Sequence, residues 1–188
     1  MNFTPLPLPG VWRVDVELRE DQRGNFTRAF CEGEFRAHGL ETHLAQASTS
    51  YNLRAGTLRG LHYQLPPAAE VKMIRVLRGS IWDVVVDVRA GSPTFLQWHS
   101  EELSASNRAM MYVPRGFAHG FISQTDDVEI LYLMSHPHDP AQERGLRWDD
   151  PTIGIAWPAR PVAISMRDES WPATMESFHE FERMRVLM

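Results

Sequence analysis

Arg59, His62 and Gln64 lie close together in "GTLRGLHYQLP", residues 56–66, and Lys72 follows shortly after. An imidazole changes charge near neutral pH, so a histidine in such a run is able to accept and return a proton. Two further patches hold groups of related kinds. "PRGFAHGF" places His119 after a turn at Pro114–Gly116, and Tyr132 stands in "EILYLMS", with "RWDDP" and "SMRDESWP" further on. A phenol keeps its proton at neutral pH, and lysine and arginine bind anions. On an ideal strand Leu58, Gly60 and His62 face one way while Arg59, Leu61 and Tyr63 face the other. Arg59 and His62 serve one pocket only if the strand bends or bulges near Gly60.

The elements that must position these groups are mostly strands. "VWRVDVEL" alternates, "DQRGNF" turns and "FTRAF" continues. "VKMIRVL", "RGS" and "IWDVVVDVR" read as a hairpin of two long strands, and "RAMMYVP", "AHGFIS" and "VEILYLMS" add more. Many short strands with Gly, Pro, Asn or Asp between them predict an all-β sandwich or barrel. Helical patterns are few. "CEGEFRAHG" is one; the tail "ATMESFHEFERMRVLM", with Phe178, Phe181 and Met184 at helical spacing, is the other. The stripe is expected to pack against the barrel, a subunit contact being the alternative.

The 188 residues suit one domain with a real core. The expected division is a single domain over 1–188, its core about 10–172 and a helical tail about 173–188. A net charge of −5 argues against nucleic acid or an anionic membrane as partner, since both favour a basic surface. Cys31 is the only cysteine, which removes internal disulfides and cysteine-based metal clusters. "MNFTPLPLPG" lacks a basic region and a long apolar run, and no stretch is long enough to span a membrane, so a cytoplasmic location is expected.

Gly56, His62 and Gly79, followed by Pro114, Gly116 and His119 in P-x-G-x-x-H, resemble the two motifs of the cupin barrel. Metal-binding cupins supply two histidines and an acid from the first motif and a third histidine from the second. Here Gln64 stands at the second histidine position and Lys72 at the acid position. An ammonium beside two imidazoles repels a divalent cation, so no metal site is expected.

The match is narrower than the cupin barrel. "TLRGLHYQ", "EVKMIRVLRGSIWDVVVDVR", "GSPTFLQW", "ELSASN", "YVPRGFAHGF" and "ERGLRWDDPTIGIAWP", in this order and with "DQRGNF" near the start, resemble the dTDP-4-dehydrorhamnose 3,5-epimerase family over about residues 10–172. The resemblance implies an all-β cupin (jelly-roll) barrel with a few short peripheral helices. It implies epimerisation of a nucleotide-linked 4-keto-6-deoxyhexose at C3, C5 or both, through an enolate and without a cofactor. His62 is then the base, Asp168 the carboxylate that orients it, Lys72 the partner of the enolate oxygen and Tyr132 the acid on the other face. Arg23, Gln46, Arg59 and His119 match positions that hold the diphosphate and the sugar. A homodimer is implied in which an N-terminal strand carries Arg23 and Phe26 to the other subunit's pocket.

The sequence also departs from the family pattern. Pro137 and His138 replace an aromatic pair in which one tyrosine helps hold the substrate, and His138 and Arg167 are taken as substrate-binding here. Ser48 replaces an asparagine, Arg28 an acid, and Arg167, Asp168 and Glu169 stand where K-D-R is usual. These changes bear on the sugar and on the choice between C3, C5 or both. Asp83, in "IWDVVVDV", is a rival carboxylate partner for a histidine, and the "WDDP" aspartates read as turn and capping residues. Two other classes compete: a cupin that binds a nucleotide sugar without turning it over, and a metal-dependent cupin oxygenase. Proton exchange with solvent separates the first from an epimerase, and a metal assay separates the second.

Overall fold

The structure is a computed structural model and describes residues 1–187. Met188, the last residue of the expected tail, lies outside them. Thirteen strands follow one another: β1 (Asn2–Pro5), β2 (Trp12–Asp15), β3 (Leu18–Asp21), β4 (Gly24–Thr27), β5 (Gln46–Asn52), β6 (Leu58–Gln64), β7 (Lys72–Arg78), β8 (Ser80–Asp87), β9 (Trp98–Ser104), β10 (Met110–Val113), β11 (Phe117–Ser123), β12 (Val128–Met134) and β13 (Glu143–Gly145). Three short helices join them: α1 (Glu32–Ala37), α2 (Met166–Glu169) and α3 (Phe178–Arg183). Six strands form one sheet in the order β1-β2-β10-β7-β12-β5, and five form a second in the order β13-β6-β11-β8-β9. β3 and β4 pair only with each other. The result is the expected all-β jelly roll.

Period-two alternation sorts the apolar residues into layers. Ile74 and Val76 of β7 meet Ile81 and Val85 of β8 and Phe117 and Phe121 of β11 between the two sheets. Val84 and Val86 point to the opposite face of the five-stranded sheet, where Leu61, Tyr63, Phe181 and Met184 cover them. Met73, Met110 and Tyr112 lie on the outer face of the six-stranded sheet, under Phe35 of α1. The tail therefore packs on the barrel through Phe181 and Met184, while Phe178 stays half-exposed.

One expectation fails. β7 and β8 do not form a hairpin: β7 pairs with β10 and β12, and β8 with β9 and β11. Only Gly79 separates them, fewer residues than the two-residue loops of tight hairpins, and its positive φ of 75° turns the chain from one sheet into the other. Their inner side chains then meet face to face across the core.

The conflict between Arg59 and His62 is resolved at Gly60. His62 pairs with His119 and Arg59 pairs with Phe121, so three steps along β6 match two along β11. The extra residue puts Arg59 and His62 on one face. Gly60 has φ 125°, and a Cβ there would come within 2.5 Å of the Gly120 Cα and 2.9 Å of the His119 carbonyl oxygen. Backbone atoms on the far side cannot yield as a flexible side chain does. Gly60→Ala should therefore lose at least about 2 kcal/mol of stability, read from urea unfolding, together with the site geometry. A variant as stable as the parent would show that the irregularity does not depend on glycine.

Candidate active site

A cavity of about 320 Å³ opens between the sheets. The bulged β6 contributes Arg59, His62 and Gln64, β7 contributes Lys72, β11 His119, β12 Tyr132 and β5 Gln46 and Ser48. His136 and His138, from the loop after β12, and Glu143 of β13 complete the rim. His62 and Tyr132 thus come from different sheets and face one space.

His62 is held from behind. Its Nε2 lies 2.7 Å from Asp168 Oδ1. Asp168 sits in α2, whose first turn is capped by the Ser165 hydroxyl accepting from the Asp168 amide at 3.0 Å. The Gly60 amide and the Trp171 indole also donate to this carboxylate, at 3.4 and 3.3 Å. Burial works against its charge, but these donors, His62 first, hold the Asp168 carboxyl below the usual carboxylate range. An ionised carboxylate only accepts, so Nε2 carries a proton, and in the neutral ring the lone pair is on Nδ1. Among the described residues Nδ1 has no hydrogen-bond partner.

A second histidine–carboxylate pair is built differently. His119 Nε2 lies 2.7 Å from Asp83 Oδ1, both groups buried. Burial pushes the Asp83 carboxyl up against the pull of His119, and its second oxygen has no partner. Asp83 is therefore a histidine partner as anticipated, but of His119. The His119 ring meets Tyr132 edge-on at 6.0 Å. Burial, with the Asp83 charge adding to it, raises the Tyr132 phenol well above its ordinary value and keeps it protonated at neutral pH.

The charged groups near the mouth are anchored too. Arg59 Nε donates to Asn52 Oδ1 at 2.7 Å. The Lys72 ammonium lies 3.0 Å from Glu70 Oε1 and 3.1 Å from the His62 carbonyl oxygen. The His138 amide donates to Gln46 Oε1 at 3.1 Å, and its ring Nε2 lies 2.8 Å from Glu143 Oε2. Arg167 bonds the same Glu143 oxygen from outside and does not itself line the cavity. Burial opposes the Glu143 charge, but His138 and Arg167 hold its carboxyl down.

Arg23 and Phe26 stand apart. They lie on the β3–β4 hairpin, with 90% of the Arg23 side chain and 74% of Phe26 exposed, and neither lines this chain's cavity. Arg23 bonds Asp21 in its own hairpin. Three groups at the site had not been anticipated: Glu70, Asn52 and Glu143. Glu70 had a legible signal, because positions 70 and 72 share a face in extended chain. Glu143 follows an irregular loop with no periodicity to mark it. Of the "WDDP" aspartates, Asp150 does accept main-chain bonds, from Thr152 and Thr174. Among the described residues no three His, Cys, Asp or Glu side chains are grouped to hold a metal ion.

The family model for dTDP-4-dehydrorhamnose 3,5-epimerase matches residues 5–176. The chain belongs to this family. A dTDP-4-dehydrorhamnose 3,5-epimerase of Sinorhizobium fredii is 44% identical over 99% of this chain and 96% of its own length. The Mycobacterium tuberculosis epimerase superposes with a TM-score of 0.90 at 36% identity, covering 94% of this chain and 90% of that one. A 3'-monoepimerase from Streptomyces bikiniensis, solved in complex with dTDP-quinovose, is 37% identical with a TM-score of 0.86, covering 92% and 88%. The family thus holds enzymes named for two carbons and for one.

The Asp168 bonds have a pH signature. Folding lowers this carboxyl, so its contribution to stability is complete above its unfolded value near 3.8 and is lost as the pH falls through the folded value. Asp168→Asn should cost about 1.5–3 kcal/mol at pH 7, and the gap to the parent should narrow below about pH 4. Chemical denaturation at several pH values checks this; a gap independent of pH would contradict an ionised Asp168.

Proposed function

We propose that this enzyme inverts C3, C5 or both of a nucleotide-linked 4-keto-6-deoxyhexose, most simply a dTDP sugar, by removing a proton beside the ketone and returning one to the other face. The observation that carries this reading is the placement of His62 and Tyr132 on facing sheets of one cavity. Inversion needs a base and an acid on opposite faces of the carbon, and a single group cannot supply both.

In this mechanism Nδ1 of His62 takes the C–H proton. The electron pair moves into the C4 carbonyl, and the resulting enolate oxygen accepts a hydrogen bond from Lys72. Asp168 holds the ring and supports the positive charge that develops on it. Tyr132 gives its proton to the carbon from the far side. The phenolate is then reprotonated from solvent and His62 loses its proton to solvent, which restores the starting state. Arg59, fixed by Asn52, suits the diphosphate. Gln46, His119 and His138 face the sugar, and Arg167 acts at one remove through Glu143.

A homodimer is part of the proposal. The β3–β4 hairpin pairs with no other strand and presents Arg23 and Phe26 outward, which suits delivery of a cation and a ring to the cavity of a second copy. A cytoplasmic location is also part of the proposal. In the described residues no helix is long and apolar enough to cross a membrane.

Two variants test the assignment on dTDP-4-keto-6-deoxyglucose. His62→Ala should lose about 10²–10⁴-fold in solvent proton exchange beside the ketone. Tyr132→Phe keeps the ring and removes only the donor, so exchange should persist while inversion is largely lost. Exchange at the parent rate in His62→Ala would move the base elsewhere. Unchanged inversion in Tyr132→Phe would make Tyr132 structural and point to His138 or water as the acid.

A further inference from the structure

Lys72 is the only lysine in the chain; all its other strongly basic side chains are arginines. The cavity therefore uses a compact ammonium with three donors at a position where every other choice in the sequence is a planar fork. The protein hydrogen-bonds one of these donors and pairs the ammonium with a carboxylate. Lys72 Nζ lies 3.0 Å from Glu70 Oε1 and 3.1 Å from the main-chain oxygen of His62. The ammonium keeps an N–H for the cavity, which Lys72 lines.

Glu70 is itself fixed. It is buried, and its second oxygen accepts from the Gln64 amide at 2.6 Å. Gln64 also donates to the Ala68 carbonyl at 2.8 Å, and its own carbonyl accepts from the Asp139 amide at 2.6 Å. An ion pair and a chain of hydrogen bonds thus connect Lys72 through Glu70 and Gln64 to the loop that carries His138. Gln64, at the position where metal-binding cupins place a histidine, is a strut in this chain.

We propose that Glu70 is a positioning residue that holds the Lys72 ammonium so that a free N–H meets the enolate oxygen. The proposal rests on the epimerase reading for its reaction but not for its geometry. A long, flexible lysine side chain has many rotamers of similar energy, and an ammonium misplaced by an ångström loses much of its hold on a developing oxyanion. In this proposal the effect of Glu70 on proton exchange passes through Lys72, so that effect vanishes when the ammonium is absent.

The test combines rates and side-chain motion. Lysine-selective ¹³C labelling marks one residue, so the Lys72 Cε signals need no assignment. Glu70→Gln should lower the Lys72 Cε order parameter and reduce kcat for solvent proton exchange about tenfold or more, with KM little changed. In a Lys72→Met background the same substitution should cause no further loss. An unchanged order parameter overturns the proposal whatever the rates do. So does parent-level kcat in Glu70→Gln, or an equal loss in the Lys72→Met background. If the parent protein itself exchanges no proton, the epimerase reading fails, and the order parameter alone decides whether Glu70 positions Lys72.

Discussion

The bond between His62 and Asp168 joins two parts of the chain separated by more than half its length, and most of the site follows from it. It requires β6 to present His62 inward, which the extra residue at Gly60 allows without turning Arg59 away. It also requires the segment beyond the barrel to return over the end of β6, where Ser165 starts a four-residue helix and Trp171 closes beside the carboxylate. Gly60 takes part twice, since its amide is one of the donors to Asp168. The geometry of the cavity and the closure of the fold are thus set at the same few residues.

The two histidine–carboxylate pairs in the cavity show how burial divides their work. Asp168 keeps its charge because His62, Gly60 and Trp171 all donate to it. Asp83 has one such donor, is fully buried, and is pushed toward its neutral form. Carboxylates moved in opposite directions by their surroundings are suited to different tasks. Asp168 backs a histidine that lines the cavity, whereas Asp83 holds His119 beside Tyr132.

Much of this was legible in the sequence. The long strands show plain alternation, and the motif spacing brought His62, Lys72, His119 and Tyr132 to one pocket. The clash of faces between Arg59 and His62 called for a bend or a bulge near Gly60, and the strand has the bulge. The β7–β8 pairing was misread because alternation says which side chains share a face, not which strand lies alongside. Helix α2 is too short to have a period, so Asp168 could be reached only through family resemblance. Glu70 was overlooked although its spacing from Lys72 was readable, since a carboxylate two residues before a strand lysine looks like ordinary surface charge. Arg23 and Phe26 project away from the chain's own cavity, and a single chain holds no physical signal for what they meet.

The central claim is that this cavity moves a proton on carbon, and solvent exchange measures that directly. The purified protein should be mixed with dTDP-4-keto-6-deoxyglucose in deuterium oxide and the sugar followed by proton NMR. The account predicts that the C3 or C5 signal, or both, disappears at an enzyme-dependent rate, with the inverted sugar appearing alongside. A nucleotide sugar that binds and is recovered with both carbon-bound protons in place would contradict it.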